Sequence, residues 1–133
     1  MRAFNLQIFT PDGIAFDGTA ESIVVRTSEG DVCILYGHTN YITTIDFGRV
    51  KIRTNGEEKR AACMGGLLSV SEGEVRIVAT TFEYADKIDE TRALAAKERA
   101  EQILVKATDS KEIHLAEVKL KRALNRLEVA GLK

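Results

Sequence analysis

What the sequence has little of already narrows its chemistry. It contains no tryptophan and only three tyrosines, so it lacks the aromatic face a carbohydrate-binding sandwich needs. There is no GxxxxGK[ST] loop, so a nucleotide cannot be held as P-loop enzymes hold it. No carboxylate pair is set to hold Mg²⁺ and activate water. No serine or cysteine nucleophile can be matched to a histidine. The two cysteines, Cys33 and Cys63, stand in apolar, strand-like contexts without ligand spacing, and a buried, reduced pair is expected. No apolar run approaches the ~20 residues of a membrane span. The first residues, MRAFNLQIF, show no signal-peptide core, and a cytosolic chain is expected. With a net charge of −1 and no basic excess interleaved with aromatics, nucleic acid is disfavoured as a partner.

What is present falls into two halves. Of the ten glycines, nine lie before residue 74, between short stretches that alternate at the period of β-strands. Strands are expected from Phe4 to Ile8, Ile14 to Phe16, Glu21 to Thr27, Asp31 to Leu35, Tyr41 to Phe47, Arg49 to Thr54, Glu57 to Met64, Leu67 to Ser71 and Glu74 to Thr80. Asn55-Gly56 is the strongest hairpin signal, since both residues tolerate the positive φ of a type I′ turn. Many short strands at this spacing predict an antiparallel β-sandwich over residues 1–85. His38 stands alone in a polar loop.

After Ile88 the period becomes helical. Ala93, Ala96, Ala100, Ile103 and Ala107 form one stripe; Ile113, Ala116, Leu120, Ala123, Leu127 and Ala130 form another. Thr108-Asp109-Ser110 separates them, with Asp109 expected to cap the second helix and Glu112 to complete a capping box. Residues 86–133 are therefore expected to form an antiparallel two-helix hairpin. Alanine buries little area, so the hairpin is a candidate for movement.

The seam, EYADKIDETRA (83–93), carries Glu83, Asp89 and Arg92, with Arg99, Arg122 and Arg126 downstream. Arg92 and Arg99 are seven apart and share a helix face. If the chain reverses near residue 109, Arg126 falls level with Arg92, and four guanidiniums gather. A polyphosphate would relieve their repulsion, because guanidinium and phosphate pair as a fork. The competing reading is a solvated face whose arginines pair with Glu90, Glu98, Glu117 or Glu128.

Across its whole length, on SEGDVCILYGH (28–38), MGGLLSV (64–70) and IDETRA (88–93), the chain resembles the ε subunit of bacterial F-type, proton-transporting ATP synthase. The resemblance implies a non-catalytic rotor subunit at the cytoplasmic side of the membrane. Its sandwich would contact the γ subunit and the c-ring, with Asp31 and His38 facing the ring. Its helices would act as an arm that reaches the α/β catalytic head and regulates ATP hydrolysis. Ile88-Asp89-x-x-Arg92-Ala93 is similar to the ATP-recognition motif of bacillus ε subunits, and Glu83, Arg99, Arg122 and Arg126 match further ATP ligands there. ATP would be a regulatory ligand; the part played by Mg²⁺ is open. Tyr36 and Asn40 stand where that family often has proline. The alternative is a structural stalk adaptor whose nucleotide site is not occupied in the cell.

Overall fold

The computed structural model describes residues 2–131; Met1, Leu132 and Lys133, the outer ends of the two expected domains, lie outside the described residues. Two units are distinct, Met1–Tyr84 and Ala85–Lys133.

The first unit holds β1 (Phe4–Thr10), β2 (Gly13–Ala20), β3 (Ser22–Thr27), β4 (Gly30–Leu35), β5 (Tyr41–Thr54), β6 (Glu57–Ser71), β7 (Glu74–Ala79) and β8 (Phe82–Tyr84). The strand order is β2-β1-β7-β6-β5-β3-β4, with β8 also on β6. Ala20 at one end of this order and Ile34 at the other join a single buried cluster, so the strands fold over into a sandwich around one core. Leu6, Ile8, Ile23, Val25, Ile34, Val50, Ile52, Leu68 and Ile77 are fully buried there. Each contributes about 1.5–3 kcal/mol relative to exposure.

Three features differ from the sequence-based expectation. The pairs are antiparallel except β1 with β7, which run parallel. The strands expected on either side of Gly48 are one strand, β5, and those around Gly65-Gly66 are one strand, β6. Gly48 lies within β5, and the position needs glycine because the Arg26 side chain fills the space of a Cβ. Gly66, at φ 139°, lets the backbone of Val78 approach, and β6 runs on through both glycines. Cys63 is buried as expected, but Cys33 is exposed, because β4 is an edge strand with one face outward. Neither cysteine is in a disulfide. The turn at Asn55 (φ 52°) and Gly56 (φ 77°) has the expected positive dihedrals.

The second unit is a 3₁₀ turn, Ala85–Lys87, followed by α1 (Glu90–Lys106) and α2 (Ser110–Ala130). The two helices pack on each other across a three-residue connection. Ala93 and Ala100 are buried on α1, and Ala116, Ala123 and Ala130 on α2, at seven-residue intervals in each helix. Ile103, expected in the stripe, is 37% exposed. No described helix is long and apolar enough to cross a membrane.

Candidate functional site

Asp89 starts α1. Its extended backbone makes it the N-cap, and its carboxylate accepts a hydrogen bond from the Arg92 backbone N–H at 3.1 Å. The Asp89–Arg92 relation is thus first a backbone cap, which fixes where the Arg92 side chain leaves the helix. Ile88 and Ala93 are buried on either side of this cap. At α2, Asp109 accepts from Lys111 N–H at 3.1 Å. The expected reciprocal bond from Glu112 is not made among the described residues; Glu112 lines a cleft instead.

The buried alanines orient the arginines. Arg92 and Arg99 each precede a buried alanine of α1, and Arg122 precedes the buried Ala123 of α2. At about 100° per residue, such positions lie beside the interface. In an antiparallel pair they lie on the same side, where Arg126, three residues after Ala123, also falls. Lys106 continues the row on α1. Rows seven residues apart advance by about 10.5 Å. A cleft of about 400 Å³ opens at the turn end of this flank, lined by Arg99, Gln102, Ile103, Lys106, Ala107 and Glu112.

The flank's charges are unevenly satisfied. Arg126 is engaged within the chain, as are Glu90 and Glu128. Among the described residues, no ion pair reaches Arg92, Arg99 or Arg122. Arg92 and Arg99 are exposed, whereas Arg122 is half-buried, and its Nε is buried with no hydrogen-bond partner among the described residues. A buried donor left unpaired is costly, and a hydrogen-bond acceptor is what it lacks. Glu83 sits on β8 opposite Ala62, half-buried. It belongs to the sandwich unit, and the cationic flank is built from the helical unit alone.

Asp31 opens β4 and is paired with Arg26 at 2.6 Å. His38 follows the other end of β4; its backbone N–H donates to Leu35 O, its Nδ1 lies 2.7 Å from Thr39 O, and its ring leans on Tyr41. The two expected ring contacts are therefore at opposite ends of a strand whose residues advance about 3.3 Å each.

The sandwich has a surface the sequence did not reveal. Ile14, Phe9, Val78 and Leu67 are successive cross-strand partners over β2, β1, β7 and β6, and form one row. Ile14, Val78 and Leu67 are 62%, 58% and 48% exposed, and Ile42 nearby on β5 is 70% exposed. Period-2 alternation hides this row, because each strand shows it only one outward apolar residue.

Sequence comparison places both units. The ATP synthase delta/epsilon chain β-sandwich domain matches residues 3–85, and the long α-helix domain of the same chain matches residues 86–131. The chain belongs to the ATP synthase epsilon-chain family. The epsilon chain of Bacillus velezensis is 43% identical over 98% of this chain and 99% of its own length. That of Ruminococcus albus is 41% identical over the whole of both. A chain of the Euglena gracilis mitochondrial ATP synthase shares the fold at a TM-score of 0.85, 21% identity, 98% coverage of this chain and 82% of its own. As an epsilon chain, this protein is a subunit of ATP synthase.

Proposed function

We propose that this epsilon chain is a rotor subunit whose helical arm is controlled by ATP. The observation that carries the reading is the arginine flank: Arg92, Arg99 and Arg122 share one side of the hairpin without counter-ions among the described residues. A polyphosphate supplies fork-shaped acceptors for all three. ATP then binds the closed hairpin through Arg92, Arg99, Arg122 and Arg126, with Asp89 holding the first turn. Separating α1 from α2 disperses the arginines, so ATP favours the closed hairpin. An open arm is free to reach the catalytic α/β head and inhibit hydrolysis.

The exposed row from Ile14 to Leu67 supports docking of the sandwich on the γ subunit, since contiguous apolar surface on a small domain marks an interaction site. Contact with the c-ring is assigned to the ends of β4, where Asp31 and His38 stand; their separation means that each must be tested alone.

A fluorophore pair at the exposed Glu98 and Lys121, in the reassembled complex, tests the arm. ATP should raise energy transfer, and transfer that ignores ATP while the complex hydrolyses it contradicts the switch.

A further inference from the structure

The polar loop between β4 and β5, Tyr36 to Asn40, has little covalent restraint of its own. Gly37, at φ 80°, leaves its backbone free to turn, and the chain's single proline, Pro11, lies elsewhere. Two other parts of the sandwich hold the loop instead. On one side the Arg2 guanidinium lies over the Tyr36 ring, 4.0 Å from its centroid, and Nη2 donates to the Tyr36 hydroxyl at 2.9 Å. On the other, Asn40 Oδ1 accepts from the Glu72 backbone N–H at 3.1 Å, in the turn between β6 and β7 where Glu72 takes φ 52°. His38 sits between these two ties, and its ring is held in one tautomer. A carbonyl oxygen can only accept, so Nδ1, 2.7 Å from Thr39 O, carries the hydrogen. The ring leans on Tyr41 at 5.8 Å between centroids, and Nε2 has no partner among the described residues. In the neutral ring Nε2 therefore presents a lone pair.

We propose that Arg2 and Asn40 are positioning residues, which hold the loop in its docking shape so that His38 meets its partner with Nε2 as a hydrogen-bond acceptor. This rests on the assignment of His38 to the c-ring above and adds the chemistry of the group it meets: one with an N–H to donate, such as an amide or a guanidinium. Both ties lie at the surface, so neither is strong alone. A cation over an exposed ring, or one neutral hydrogen bond, shifts a local opening equilibrium by about two- to tenfold. That is enough for a short loop with few other restraints. A loop ordered beforehand loses less conformational freedom when its partner arrives, so the ties act on binding as well as on local order.

Amide exchange and imidazole ¹⁵N spectra of the full chain test this, together with its rebinding to synthase complex stripped of this subunit. Arg2→Met and Asn40→Ala should each raise exchange across residues 36–40 by about two- to tenfold and weaken rebinding by a similar factor, with the β3 and β7 amides unchanged. At a pH where the ring is neutral, the wild type should show a protonated Nδ1 and a bare Nε2, and the two variants a mixture of tautomers. Arg2→Lys keeps a cation over the ring and should restore much of the order. Arg53→Met, which removes an exposed cation outside the loop, should leave it as it is. His38→Gln keeps an acceptor near the place of Nε2 and should rebind within about threefold of the wild type, whereas His38→Leu and His38→Lys should weaken by about tenfold. Unchanged exchange and an unchanged tautomer in both Arg2→Met and Asn40→Ala overturn the inference, as does their rebinding at wild-type strength when His38→Leu is weak. His38→Lys binding as tightly as His38→Gln overturns the acceptor role. If the loop loosens but His38→Leu rebinds like the wild type, the ties only shape the loop and the c-ring reading of His38 fails.

Discussion

Asp89 carries two duties in one side chain. Its Oδ1 accepts the Arg92 N–H at 3.1 Å, which starts α1 and sets the exit of the Arg92 guanidinium. Asp89→Ala should cost about 0.5–2 kcal/mol of helical stability through the lost cap. Thermal unfolding followed by circular dichroism measures that loss, and a calorimetric titration should show weaker ATP binding in the same variant. Cys63 makes a separate case. Burial pushes its thiol from 9.0 to about 12. The folded chain thus holds a proton that the unfolded chain releases above pH 9, and stability should fall as pH rises from about 9 towards 12. At neutral pH a thiol reagent should label the exposed Cys33 and reach Cys63 only on unfolding. Rapid native labelling of Cys63 would contradict its place in the core.

At the scale of elements, sequence and structure agree where local chemistry decides and part where packing decides. Asn55-Gly56 specifies its own turn, and the alanine stripes specify the facing sides of α1 and α2. Gly48 reads locally as a break; the strand continues through it by pairing with Cys63 on β6, and the Arg26 side chain, brought over it by the pairing of β3 with β5, fills the space of a Cβ. The parallel pairing of β1 with β7 joins residues about seventy positions apart, and no local pattern announces it. The spacing of the arginines is legible in the sequence. The burial of Arg122 Nε is not, since it depends on how the side chain packs. The cap at Asp89 is legible from its place just before the helical period. The alanine interface also predicts its own sensitivity. Ala123 is fully buried, and Ala123→Leu should destabilise the hairpin by about 1–3 kcal/mol through overpacking, read as faster amide exchange in α2 with the β5 and β6 amides unchanged.

At the scale of the molecule, a sandwich with its own aliphatic core carries a hairpin held largely by methyl groups. That inequality suits a subunit with one constant attachment and one adjustable arm. The row Ile14–Phe9–Val78–Leu67 is the expected attachment. Val78→Asp and Leu67→Asp, both at exposed positions, should leave the sandwich folded and weaken assembly with γ, measured by co-purification. Full assembly of the double variant would move the interface elsewhere. Whether the arginine flank holds a nucleotide is measured directly by calorimetric titration of the full chain with ATP, wild type beside Arg92→Ala. A charge-assisted bond is worth about 1.5–3 kcal/mol, so saturable binding to a single site should weaken about tenfold or more in the variant. Absence of binding to the wild type, or equal affinity in the two chains, would contradict it.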